Sequence, residues 1–152
     1  MAAKGISIEE IMEMWSKDSK IDKNNLSVES LRTTDLHSKY LNFLTYHNMV
    51  IKSVQAEYIT LKKLKTEYYL GQHNTDKAFL EQYELEPVRA MILKDQIPMY
   101  LESDKHLMPL LLKKAVHEEI VEYCKSVLTM IKGRDWTIRN TIEWEKFTSG
   151  AG

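Results

Sequence analysis

Residues 61 to 71 read LKKLKTEYYLG and gather Lys62, Lys63, Lys65, Tyr68 and Tyr69 immediately before Gly71. Ammonium groups at such spacing neutralise phosphates, and a tyrosine ring stacks on any base, so this is a candidate contact for single-stranded nucleic acid. On a helix Lys62, Lys65 and Tyr69 share one face at steps of three and four, while Lys63 points elsewhere, toward an ion pair with Glu67. From Lys52 to Lys65 the charged residues are Lys52, Glu57, Lys62, Lys63 and Lys65, four positive against one negative. Lysines near a helix C-terminus also complement its dipole, and tyrosines in an apolar stripe usually pack in a core. By pattern alone, a solvated and capped helix end is the default. A second cluster, Lys132, Arg134 and Arg139 around Trp136, carries the same two readings.

Other chemistry finds no support. No phosphate-binding glycine loop occurs, and the five glycines are scattered. His117-Glu118-Glu119 begins like a zinc-protease motif but lacks a second histidine four residues on. The histidines at 37, 47, 73, 106 and 117 have no ligand spacing, so no metal, no cofactor and no catalytic residue is expected. Asp18-x-Lys-x-Asp22 puts a lysine where a calcium loop needs an oxygen. The single cysteine, Cys124, reads as a buried inert thiol, and His47 as a packed, hydrogen-bonded histidine. Nothing in the pattern calls for an enzyme.

The elements that must position the lysines are helical. Five glycines and three prolines in 152 residues favour long helices. Ser7 to Glu10 forms a capping box for a helix carrying Ile8, Ile11, Met12 and Trp15 and fading by Asp18. Residues 18–27 read as a loop anchored by Ile21 and Leu26. From about Asp35 to Leu70 the row Leu36, Tyr40, Phe43, His47, Val50, Val54, Leu61, Leu64 and Tyr68 predicts one helix of roughly 50 Å, stopped by Gly71. Its stripe needs partners along its whole length, from later helices or another subunit. After the loop GQHNT, Thr75 or Asp76 caps a short helix with Phe79, Leu80 and Tyr83. Pro87 and Pro98 interrupt residues 86–102, where VRAMIL and IPMYLE read as short strands or helical turns. From Pro109 the row Leu112, Val116, Ile120, Tyr123, Val127 and Met130 restores the helical period as far as Lys132-Gly133. Asp135 then caps a last helix through Phe147, favoured over a strand in WTIRNTIEW for want of a partner.

The length suits one domain, large enough to bury roughly 70% of its unfolded surface. At net charge −1, affinity for nucleic acid must come from a local patch. The lone cysteine suits a reducing cytoplasm. No apolar run approaches a membrane span, and MAAKGISIEEIMEMW has no signal-peptide core.

The motifs resemble those of the UvsY family of phage recombination mediators. The family pattern of a lysine and another basic residue two apart, an acidic residue, two tyrosines and a glycine matches Lys63, Lys65, Glu67, Tyr68, Tyr69 and Gly71. SKYLN at 38–42, KDSKID at 17–22 with Leu26, and IKGRDWTI at 131–138 with Phe147 and Gly150 fall in register. The resemblance runs from about Ile8 to Gly150 and is poor over 72–110. It implies a mainly α fold, a long central helix with packed C-terminal helices, assembling into a ring-like homo-oligomer. The implied protein binds single-stranded DNA, contacts the phage single-strand-binding protein and a RecA-like phage recombinase, and helps the recombinase load, in the cytoplasm of the infected host cell. Family DNA contacts map to Lys63 and Lys65, the latter standing where a relative has arginine, which keeps the charge and loses the planar fork. The C-terminal assembly region maps to the helix from Pro109 onward. The rival readings are a helical scaffold or adaptor without DNA binding, and a helix-turn-helix regulator at the turn near Gly133.

Overall fold

The computed structural model describes residues 5–150. Six helices form among them, and no strand. They are α1 (Ile8–Asp18), α2 (Leu26–Tyr69), α3 (Lys77–Gln82), α4 (Ile97–Glu102), α5 (Met108–Lys132) and α6 (Arg134–Thr148). The chain divides into two compact units, one of Met1–Met49 with His117–Gly152 and one of Val50–Val116.

In the first unit the capping box forms as read: the Ser7 hydroxyl accepts from the Glu10 N–H at 3.2 Å and the Ser7 N–H donates to Glu10 at 2.9 Å. Ile11 then meets Leu36, Tyr40 and Phe43 of α2 and Ile120, Cys124, Val127 and Ile131 of α5 in one core. Trp15 packs edge-on to Tyr40 at 5.3 Å. The last turn of α1 is tied down by Asp18, whose carboxylate accepts from Lys39 at 2.6 Å and Tyr40 at 2.9 Å. Burial pushes the Asp18 carboxyl up, but these two donors hold it below the usual carboxylate range.

Helix α2 starts nine residues before the expected Asp35. Its inward row there is Leu26, Glu29, Thr33 and Leu36, helical in step but half polar, while Val28 and Leu31 face solvent. Glu29 is buried because Arg32 donates to both its oxygens and Arg134 of α6 donates to one of them. On α5 the buried row is Ile120, Cys124, Val127 and Ile131; Leu112, Val116 and Met130 of the expected row are exposed. Cys124 lies within the core row, and burial pushes its thiol up to about 11. The final helix forms as expected, but Gly133 occupies the cap position and Asp135 sits in the first turn.

In the second unit, α2 ends at Tyr69, and Gly71 beyond it has a φ of 81°, the left-handed conformation that glycine adopts without strain. The N–H of Gln72 reaches the Glu67 carbonyl at 3.0 Å and that of Gly71 the Tyr68 carbonyl at 2.9 Å, so both of these last-turn carbonyls are satisfied. Asp76 caps α3 through the Phe79 N–H at 3.1 Å. Residues 86–102 hold no strand: IPMYLE is α4, with Pro98 in its first turn. The Val88 N–H and carbonyl are both taken by the Asn74 side chain, at 2.8 and 3.0 Å, which leaves nothing for a ladder there.

Candidate nucleic-acid interface

The basic segment lies in the last turns of α2 and separates into two sets. Lys62 and Lys63 are exposed, and neither forms an ion pair among the described residues. The Lys62 ammonium sits 5.8 Å from the Tyr58 ring centre. The expected Lys63–Glu67 pair does not form; Glu67 instead accepts from His73 at 3.0 Å.

Lys65, Tyr68 and Tyr69 turn inward. Lys65 is fully buried, with its ammonium 3.1 Å from Asp104 and 2.7 Å from His106 Nδ1. The rings of Tyr68 and Tyr83 flank it at 5.5 and 5.9 Å. Tyr68 is buried and donates to the Glu86 carbonyl at 2.7 Å; Tyr69 donates to Asp104 at 2.6 Å. Asp104 also accepts from the N–H groups of His106 and Leu107, at 2.8 and 3.0 Å. The five-residue expectation for a DNA contact therefore divides. Two of its members face solvent, two (Lys65 and Tyr69) join the end of α2 to the turn before α5, and Tyr68 joins it to Glu86.

The electrostatics follow from this packing. Burial opposes ionisation of Asp104, yet Tyr69, the two N–H donors and Lys65 hold its carboxyl below the usual range. Burial pushes the Lys65 ammonium down, with Asp104 pulling the other way. Burial and the neighbouring Lys65 charge lower His106, which suits a neutral ring accepting at Nδ1. Sequence offered one sign of this role. Leu61, Lys65 and Tyr68 step by four and three, so Lys65 occupies an inward position.

Of the second cluster, Arg134 is buried against Glu29, while Lys132, Arg139 and Trp136 are exposed. His47 is buried as expected and shares a 2.8 Å Nδ1–Nδ1 hydrogen bond with His117. Among the described residues no group of three or more His, Cys, Asp or Glu is placed to hold a metal ion, and no helix is long and apolar enough to cross a membrane.

Residues 14–151 match the family model described as recombination, repair and ssDNA binding protein UvsY. Recombination protein uvsY of Enterobacteria phage T4 is 23% identical over 143 residues, 94% of this chain and 98% of that relative. A crystal structure of the bacteriophage T4 recombination mediator protein UvsY aligns with a TM-score of 0.82 at 22% identity, covering 95% of this chain and 98% of that one. A second lattice of the same protein gives 0.78 at 20%, covering 94% and 99%. At these identities the structures speak for the fold.

Proposed function

Because the chain belongs to the UvsY family, we propose that it is a single-stranded-DNA-binding recombination mediator of a phage. It promotes loading of a RecA-like recombinase onto DNA covered by single-strand-binding protein, in recombination, repair and recombination-dependent replication. The family match from residue 14 to 151 carries this reading. The geometry adds two exposed lysines, Lys62 and Lys63, that form no ion pair among the described residues. They hold phosphates, with release of counterions, and discriminate little between sequences. Lys65, Tyr68 and Tyr69 keep that helix end in place. No bond is made or broken by the mediator. It acts on DNA that the binding protein covers and shifts occupancy toward the recombinase by mass action, in the cytoplasm of the infected cell.

Assembly as a homo-oligomer is part of the proposal. Trp136, Trp144 and Phe147 on α6 are 68%, 65% and 74% exposed, and a second copy covers them. Repetition of the lysine pair around a ring converts a weak contact into a multivalent one. The test is fluorescence anisotropy with a labelled single-stranded oligonucleotide at several salt concentrations, against a duplex of equal length. Tight, salt-sensitive, single-strand-preferring binding, lost in Lys62→Ala with Lys63→Ala, is expected. No binding at low salt by folded protein would leave a helical scaffold.

A further inference from the structure

The accessible cations of α2 extend beyond the pair near its end. Lys52, Gln55, Ile59, Lys62 and Thr66 follow at steps of three and four, and Lys63 lies four on from Ile59, so all six fall within an arc of about 100° of the helix. Lys52, Lys62 and Lys63 are exposed, and Ile59 at the centre of the face is 59% exposed. Glu57, the sole acid between Lys52 and Thr66, projects about 200° round the helix from Ile59. It lines a groove on that other side with Leu61, Leu64 and Tyr83. Between Lys52 and Thr66 the helix therefore sets three lysines and no carboxylate on this side, with an apolar residue at its middle. A half-buried ring, Tyr58, stands at its edge, next to the Lys62 ammonium. Lys52 and Lys63 are separated by about 16 Å of helix rise.

A single strand offers phosphates and bases, and this face offers ammonium groups on either side of an apolar one. We propose that the DNA track of this chain runs along α2 from Lys52 to Lys63, with Lys52, Lys62 and Lys63 on phosphates and Tyr58 with Ile59 under a base. The proposal rests on the single-stranded-DNA reading above. It moves the stacking ring from Tyr68 and Tyr69, whose hydroxyls are engaged by Glu86 and Asp104, to Tyr58.

The experiment is the anisotropy titration of full-length protein with labelled oligo-dT across a salt series. Lys52→Gln weakens binding and reduces the magnitude of the logarithmic salt slope by about 0.7. Tyr58→Leu weakens binding roughly 5- to 150-fold and leaves the slope unchanged. Ile59→Asp weakens binding by setting a carboxylate among the lysines, and Lys77→Gln on α3 binds as wild type. Melting curves accompany every variant. Should Tyr58→Leu melt early, the outward substitutions Lys52→Gln and Ile59→Asp decide. Binding at wild-type strength by both, while Lys62→Ala with Lys63→Ala binds weakly, would overturn the track and leave the DNA reading intact. Absence of binding by the wild type would remove both.

Discussion

The most discriminating perturbation is at the buried charge beneath the lysine face. The side chains of Lys65 and Asp104 are each 1% exposed and their charged atoms lie 3.1 Å apart. Asp104→Asn removes the carboxylate and leaves the buried ammonium with the neutral His106 ring as acceptor but no counter-charge. It also weakens the acceptor for the Tyr69 hydroxyl and the N–H groups of His106 and Leu107. Breaking a buried pair from one side costs about 3–5 kcal/mol, a large part of a total stability of about 5–15 kcal/mol. Lys65→Met keeps the aliphatic stem and leaves Asp104 with three donors, so it costs less, about 1–3 kcal/mol. The double variant removes both charges and recovers part of the loss, giving a coupling of about 1 kcal/mol or more. Urea denaturation of the four proteins at pH 7 measures this cycle. Single variants within about 0.5 kcal/mol of wild type, or losses that simply add, would refute the clamp. The salt slope for oligo-dT gives an independent readout. A phosphate ligand at position 65 would lose about 0.7 from the slope in Lys65→Met. A buried clamp leaves the slope of the folded variant unchanged.

Three further outcomes follow from the packing. Burial first, and then His117, depress His47 below the usual histidine range, so the unfolded chain takes up a proton that the fold refuses. The stability from His47 is complete above about pH 6.5 and is lost as pH falls toward its folded value, by about 1.4 kcal/mol per pH unit. Thermal melts between pH 7 and 5 should show a shallower loss in His47→Asn than in wild type. Gly71→Ala places a side chain at φ 81°, where its Cβ would also lie 3.4 Å from Asn74; a cost of about 1 kcal/mol or more is expected in urea denaturation. Cys124, fully buried with its thiol raised to about 11, should resist a thiol reagent in native protein and react at once in denaturant.

What was legible in the sequence was local. A capping box and a helix-stopping glycine are written within a few residues, so Ser7, Glu10 and Gly71 are placed correctly. The stripe of α2 from Leu36 to Tyr68 is long enough to average out single exceptions. What escaped depended on partners distant in the chain. The first turns of α2 bury Glu29, and Arg134, reached after three more helices, joins Arg32 in making that reasonable. On α5 two apolar rows run side by side, and the one that packs is chosen by Ile11, Tyr40 and Phe43. Lys65 read as one more cation in a basic run because Asp104 lies beyond two intervening helices. A polar residue on the inward step of a stripe is a request for a buried partner, and a single sequence leaves that partner unnamed.

The buried node also bears on how a sparse patch can bind. An ion pair so enclosed adds little stability over an apolar pair of the same shape, because desolvation offsets the attraction. What it supplies is geometry. Asp104 receives the α2 side chains Lys65 and Tyr69 and at the same time caps the turn that leads into α5. Tyr68 and Asn74 pin the chain at Glu86 and Val88 in the same unit. The helix end is therefore fixed from within, although neither Lys62 nor Lys63 on its outer side forms an ion pair among the described residues. Ordering a mobile support would be charged against each DNA contact, and a support already ordered removes that cost. On this argument Asp104→Asn weakens DNA binding although Asp104 is buried and negative: loosening the helix end costs the lysines their alignment, while the count of phosphates neutralised, and with it the salt slope, stays the same.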